Sequence, residues 1–115
     1  MIHDLLTNEQ MTQSRIEVFE QMLTNDPANT AVLFGLAKEY EKAGEDLRLI
    51  EALERYIAAA DDEGNAYGML ARAYERTSQP DKARGAYQRG VEVSTAHGHP
   101  GMAEEYRQIL EDFPA

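Results

Sequence analysis

The sequence predicts an all-α fold of stacked helix–turn–helix units. Residues 36–42, Leu-Ala-Lys-Glu-Tyr-Glu-Lys, return 34 positions later at residues 70–76 as Leu-Ala-Arg-Ala-Tyr-Glu-Arg. Apolar side chains recur at helical spacing through most of the chain, and no stretch shows the alternation of a strand. A two-helix unit this short cannot bury its apolar face alone, so a fixed period of this size indicates units that stack on one another.

We expect six helices joined by short loops, at about residues 8–24, 30–43, 45–60, 63–77, 80–96 and 101–113. The first ends at Asp26-Pro27, because the residue before a proline is disfavoured in helical conformation. Asn29 or Thr30 can cap the second helix, and Gly44 suits the left-handed position after its end. Ahead of the first helix, three apolar residues could dock on it: Ile2, Leu5 and Leu6.

Acidic residues open the third and fourth helices, at Glu45-Asp46 and at residues 61–63, where the positive end of the helix dipole favours them. Ser78, followed by Pro80 and Asp81, predicts a serine cap with proline in the first turn of the fifth helix. Gly90 lies inside that helix, where glycine costs about 1 kcal/mol relative to alanine. A close backbone crossing would explain it.

The repeated positions resemble those of the tetratricopeptide repeat family. The residues that carry this resemblance are Leu36, Ala37, Tyr40 and Gly44 in one unit, and Tyr67, Leu70, Ala71, Tyr74, Ala83 and Tyr87 in the next. The resemblance implies a short right-handed α–α superhelix of five to six helices in a single domain. Its parts would be a lone second helix at 8–27, full repeats at 30–63 and 64–97, and a capping helix at 98–115.

The last helix matches the family pattern in two ways. Met102-Ala103-Glu104-Glu105-Tyr106 resembles the first-helix pattern Leu-Ala-x-x-Tyr, but at an offset of 32 residues from 70–74. Four of its apolar positions equally echo a second helix: Tyr106, Ile109, Leu110 and Pro114. Chain order places it in the first-helix position, where its polar outer face suits a cap.

The charge of the chain excludes several classes of partner. Its net charge is −10, from 21 acidic and 11 basic residues, so nucleic acids and anionic membranes would be repelled.

The chain has no cysteine and no apolar run of about 18–20 residues, which excludes a disulfide framework and a membrane span. We therefore expect a cytoplasmic protein. The acidic surface either simply maintains solubility or reflects a salt-rich cytoplasm.

In the family, the first helix of each unit lines a concave groove that holds an extended peptide or a partner helix. The residues that helical geometry places toward that groove are Phe34, Lys38 and Lys42 in one unit and Asn65, Met69, Arg72 and Arg76 in the next. Phe34 and Met69 stand where the family's carboxylate clamp for chaperone tails uses lysine and asparagine. Such a clamp is therefore not expected, and these two residues are predicted to be apolar contacts.

Four of these residues are cations and form a two-by-two ladder on an otherwise acidic protein. They are Lys38 and Lys42 in one unit and Arg72 and Arg76 in the next. Like charges four residues apart on a helix repel by a few tenths of a kcal/mol, so their repetition calls for a reason. One interpretation is a groove that binds acidic side chains or a C-terminal carboxylate. The other is ordinary surface charge, neutralised by nearby acids: Glu39, Glu41, Glu45 and Glu75.

We therefore predict a non-enzymatic module that binds a protein or peptide partner, with an acidic partner as one interpretation of the ladder. A second interpretation is a structural or self-associating scaffold, which leaves a homo-oligomer possible. We expect no catalytic residues, no cofactor and no metal site, because no phosphate loop or nucleophile motif occurs. His97 and His99 have no third ligand nearby in sequence, so a loop role is favoured.

Overall fold

The computed structural model describes residues 7–114, and within that range it contains six α-helices and no strand. The helices are α1 Asn8–Asn25, α2 Thr30–Ala43, α3 Asp46–Ala59, α4 Asn65–Arg76, α5 Pro80–Ala96 and α6 Pro100–Glu111. Each lies within about two residues of the expected range, so the all-α prediction is confirmed. The docking predicted for Ile2, Leu5 and Leu6 falls outside the described residues. None of the helices in 7–114 has the length and apolar character needed to cross a membrane.

The helices group into two compact units, Met1–Ala59 and Ala60–Ala115. In the first unit α1 packs on α2 and α2 packs on α3. In the second unit α4 packs on α5 and α5 packs on α6. Consecutive helices are therefore neighbours within each unit, as short loops predict.

Most helix ends follow the sequence signals. Asn29 caps α2, since its side chain accepts a hydrogen bond of 3.1 Å from the Val32 amide. Gly44 adopts the left-handed conformation after that helix, with φ of 71°. The predicted serine cap of α5 is wrong: the helix begins at Pro80, its N-cap is Gln79, and neither side chain caps it. Ser78 lies one residue before the N-cap position, in the turn, where it adopts a positive φ of 58°.

The core of the first unit is formed by apolar side chains from all three helices. Fully or almost fully buried are Ile16 and Leu23 on α1, Leu33, Leu36, Ala37 and Tyr40 on α2, and Leu49 and Leu53 on α3. Phe19 of α1 lies against Gly35, where an added Cβ would come within 3.1 Å of the ring. A small residue on α2 therefore allows α1 to approach.

In the second unit, the side chain of Tyr106 on α6 occupies space left by glycines. Its hydroxyl donates a hydrogen bond of 2.9 Å to the Gly64 carbonyl, and its ring lies against Gly68 and Gly90. An added Cβ would stand 2.5 Å from the Tyr106 oxygen at Gly68 and 2.8 Å from the ring at Gly90. The neighbour that explains Gly90 is thus an aromatic ring on α6 and not the backbone crossing that we expected.

Candidate partner-binding surface

Three of the residues predicted to face a partner lie on α2 in the first unit. Phe34 is half-buried, with its ring centroid 5.1 Å from that of Tyr56 on α3. The side chains of Lys38 and Lys42 are 50% and 58% exposed. Lys38 Nζ lies 3.5 Å from Glu41 Oε1, and Lys42 Nζ lies 3.6 Å from an oxygen of Glu39. Both lysines therefore have an acidic neighbour on their own helix.

These contacts bear on the surface-charge interpretation of the ladder. Two of the four acids that we named as neutralising groups, Glu39 and Glu41, do contact the lysines of α2. Glu45 instead lies 3.7 Å from Arg48, and Glu75 accepts a hydrogen bond of 2.7 Å from the Tyr87 hydroxyl. The Lys38–Glu41 pair is exposed on both sides and contributes about 0–1 kcal/mol, so it leaves Lys38 available to a stronger anion.

Glu39 differs from the other acids because it is buried, with 6% of its surface exposed. Its Oε1 accepts a hydrogen bond of 2.7 Å from Arg15 Nε, which joins α1 to α2. Its Oε2 is buried and has no hydrogen-bond partner within the described part of the chain. Sequence reasoning treated Glu39 as a surface acid and did not identify Arg15. The available signal was that Glu39 lies one turn after Gly35, on the side of α2 that α1 approaches.

A cavity of about 580 Å³ lies between the first half of α1 and the end of α2. Charged side chains of both signs line it: Glu9, Arg15, Lys42 and Glu45. Lys42 therefore borders this cavity together with Arg15, in addition to its place in the predicted ladder. The second cation at this cavity is Arg15, which lies on α1 and has no part in the 34-residue repeat of α2 and α4.

The other four predicted residues lie on α4 in the second unit. Asn65, Arg72 and Arg76 are exposed, whereas Met69 is only 3% exposed. The Met69 sulfur lies 3.9 Å from Asn65 Nδ2. In this structure Met69 contributes mainly to packing, and its role as an apolar contact for a partner stays a prediction.

Arg72 is an exposed cation with no hydrogen bond or ion pair to residues 7–114. Its charge acts on two buried tyrosines nearby. Burial raises the pKa values of Tyr87 and Tyr106, and the guanidinium of Arg72 opposes both increases. Arg72 therefore differs from Lys38 and Lys42, because no carboxylate of the described chain neutralises it.

The two loop histidines each contact a carboxylate in the second unit. His97 Nε2 lies 3.3 Å from Asp61 Oδ1, and His99 Nε2 lies 2.6 Å from Glu63 Oε1. The hydrogen bond from His99 lowers the pKa of Glu63, and the charge of His99 adds to this effect. Within residues 7–114, no group of three histidine, cysteine or acidic side chains is arranged to hold a metal ion.

Comparison with known proteins gives relatives in sequence and in structure. The chain is 30% identical over 95 residues to TPR repeat-containing protein PA0015 of Pseudomonas aeruginosa, covering 83% of this chain and 90% of that protein. Two crystal structures of MamA superpose with TM-scores of 0.63 at 23% and 20% identity. They cover 81% and 90% of this chain, which in turn spans 58% and 72% of theirs. No family model matches.

Proposed function

Because the chain belongs to the tetratricopeptide repeat family, we propose that it is a non-enzymatic module that binds a protein segment through the exposed faces of α2 and α4. Family membership supports a protein partner in general terms, and the fold resembles that of MamA. The residues assigned to the partner are those predicted from the sequence: Phe34, Lys38, Lys42, Asn65, Met69, Arg72 and Arg76.

The observation that carries the proposal is the state of Arg72. On a chain of net charge −10, this exposed guanidinium has no carboxylate partner among the described residues. Arginine can hold a carboxylate through two parallel hydrogen bonds, which gives both strength and orientation. An acidic side chain or a C-terminal carboxylate of the partner is therefore the group that Arg72 would bind.

The lysines and Phe34 have supporting roles in this proposal. Lys38 would exchange its weak contact with Glu41 for a partner's acid, while Lys42 would keep its contact with the buried Glu39 and add attraction from its exposed side, which favours encounter more than tight binding. Phe34 keeps part of its ring exposed beside Tyr56 and would supply an apolar contact. The cations then give specificity for acidic segments, and the Phe34 ring favours those acidic segments that also carry an apolar side chain.

Titration with acidic peptides tests the proposal. Peptides with several acidic residues and a free C-terminus should bind the wild-type protein and bind less tightly as salt is added. The Arg72→Glu variant should lose about tenfold or more in affinity, because an attraction is replaced by a repulsion. Arg89→Glu is the matched control: Arg89 is an exposed arginine on α5 that contacts Glu92, and its variant should bind like wild type.

Two results would contradict this assignment. Equal affinities of Arg72→Glu and wild type would remove Arg72 from the binding surface. An affinity that does not change with salt would show that charge does not select the partner. A variant with Lys38→Ala and Lys42→Ala changes the net charge by the same two units as Arg72→Glu and should lose less affinity, because each lysine already shares its charge with an acid on α2.

A further inference from the structure

Arg72 stands three residues before Glu75 on α4, yet the two side chains do not form an ion pair. Side chains at this spacing are neighbours on the surface of a helix, so the contact is within reach. The Glu75 carboxylate instead accepts a hydrogen bond of 2.7 Å from the Tyr87 hydroxyl on α5. The unpaired state of Arg72 therefore has a possible cause on the neighbouring helix.

Two other pairs with the same order and spacing do form ion pairs in this protein. On α2, Lys38 Nζ lies 3.5 Å from Glu41 Oε1. On α5, Arg89 Nε lies 3.6 Å from Glu92 Oε2. The second pair shows that an arginine makes this contact as well as a lysine does. The type of cation therefore does not explain why Arg72 differs.

Competition from a second acid on the same helix does not explain it either. Lys42 and Arg48 are also followed by a glutamate three residues later. Each contacts the glutamate three residues before it instead, at 3.6 Å and 3.7 Å. Arg72 has the apolar Met69 at that position, so Glu75 is the acid on α4 that stands within one turn of it.

The first unit shows what happens when the tyrosine is absent. The ion pair on α2 occupies the positions that Arg72 and Glu75 occupy 34 residues later. At the position equivalent to Tyr87, the first unit has Leu53 on α3. Both side chains are buried, at 2% and 0% exposed. Leucine has no hydroxyl with which to bind the acid of its unit, and in that unit the acid pairs with the cation.

The electrostatics of the second unit agree with this comparison. Burial chiefly raises the pKa of Tyr87, the hydrogen bond to Glu75 raises it further, and the charge of Arg72 opposes the increase. The hydroxyl therefore stays protonated and remains a donor. Its hydrogen bond to a carboxylate is part-buried, and such a bond is stronger than an exposed ion pair. Glu75 is thus held by Tyr87 in preference to Arg72.

We propose that Tyr87 is a positioning residue of the partner-binding surface: it holds Glu75 and so keeps Arg72 available for a carboxylate of the partner. The consequence for binding rests on the proposed function, in which Arg72 is the main contact. An arginine paired with its own glutamate would only exchange one carboxylate for another, which gains little. An unpaired arginine gains the whole contact.

Titration of one acidic peptide into a set of variants tests this role. Tyr87→Phe keeps the buried ring and removes the hydroxyl, so Glu75 can turn to Arg72. The affinity should fall about two- to fivefold, which corresponds to the strength of an exposed ion pair. In a Glu75→Gln background, the same Tyr87→Phe change should leave the affinity unchanged, because no carboxylate is released.

The matched control is Tyr106→Phe, which removes a hydroxyl from another buried tyrosine of the second unit. Tyr106 donates to the Gly64 carbonyl and not to a carboxylate, so its variant should bind the peptide like wild type. This control separates the loss of a buried hydroxyl from the release of Glu75. Circular dichroism of each variant verifies that it is folded.

NMR of the Arg72 Nε–H group tests the same contact without any peptide. Its resonance is identified by its loss in an Arg72→Gln variant. Tyr87→Phe should shift it, and adding Glu75→Gln should reverse the shift. With Tyr87 present, Glu75→Gln alone should leave the resonance nearly unchanged, because Arg72 is not paired with Glu75.

Three results would overturn the proposal, and a fourth concerns the proposed function alone. A folded Tyr87→Phe variant that binds like wild type removes the role of Tyr87 and leaves peptide binding at Arg72 intact. A loss of affinity that persists with Glu75→Gln shows that the hydroxyl does not act through Glu75. A large shift of the Arg72 resonance by Glu75→Gln alone shows that the two residues already pair. A wild-type protein that binds no acidic peptide contradicts the proposed function, while the resonance still decides whether Tyr87 keeps Glu75 from Arg72.

Discussion

The two units of the molecule share repeated residues but differ in how their helices approach one another. In the first unit, α2 has the large Phe34 followed by Gly35, and Phe19 of α1 lies against that glycine. At the equivalent positions of α4, 34 residues later, the order of sizes is reversed to Gly68 followed by Met69. Tyr106 of α6 lies against Gly68, while Met69 is buried.

A second pair of equivalent positions shows the same contrast in charge. Glu39 of α2 is buried and bound to Arg15, whereas its equivalent on α4 is the fully buried Ala73. The repeated leucine, alanine and tyrosine positions support the helix–turn–helix core of both units. The non-repeated positions determine how each helix contacts its neighbour. In the first unit the Glu39–Arg15 ion pair joins α2 to α1, and in the second unit Tyr106 of α6 packs against Gly68 and Gly90.

The largest expected effect tests the glycine contacts of the second unit. Gly90→Ala should lower the free energy of unfolding by about 2 kcal/mol, because the new Cβ would stand 2.8 Å from the buried ring of Tyr106. Gly85→Ala on the same helix should raise it by up to about 1 kcal/mol, since nothing lies within 4 Å and alanine favours helix. Urea denaturation of both variants measures the two values. An increase in both variants would show that helix propensity, and not the contact with α6, governs Gly90.

A smaller effect is expected for the ion pair of the first unit. Arg15→Ala should destabilise the protein by about 1–2 kcal/mol, because it leaves the buried Glu39 carboxylate without its closest cation, although Arg15 itself is partly exposed. The double variant Arg15→Ala/Glu39→Ala should recover part of this loss, since it also removes the buried charge and gives α2 the alanine of α4. Thermal denaturation of the two single variants and the double variant gives the coupling. Additive losses would show that Arg15 and Glu39 do not interact.

The contrast also explains how far sequence reasoning reached. Leu36, Ala37 and Tyr40 and their copies are visible because the period repeats them, and they predict α2, α4 and the helix–turn–helix repeat, while apolar spacing and cap residues predict the other helices. Contacts made by non-repeated residues leave no periodic signal, so the Glu39–Arg15 pair was missed. The predicted partner residues were chosen from helix geometry alone, which indicates a face but not how deeply a side chain is buried. Met69 shows this limit.

The smallest expected effect concerns the acidic side chains that contact histidines, which occur among the described residues only in the second unit. The pKa of Glu63 lies below its ordinary value, chiefly because of the hydrogen bond from His99, and the charge of His97 contributes least. A carboxyl whose pKa is lowered by folding stabilises the protein fully above its unfolded pKa, and this contribution disappears as pH falls through the folded pKa. His99→Ala should therefore raise the pKa of Glu63. It should also reduce the part of the folding stability that wild type gains from Glu63 at pH values above the unfolded pKa of this carboxyl. His97→Ala should leave the pKa of Glu63 nearly unchanged. NMR titration of the Glu63 side-chain carboxyl carbon in both variants measures the pKa shift. An equal shift in the two variants would show that histidine charge alone, and not the hydrogen bond from His99, lowers the pKa of Glu63.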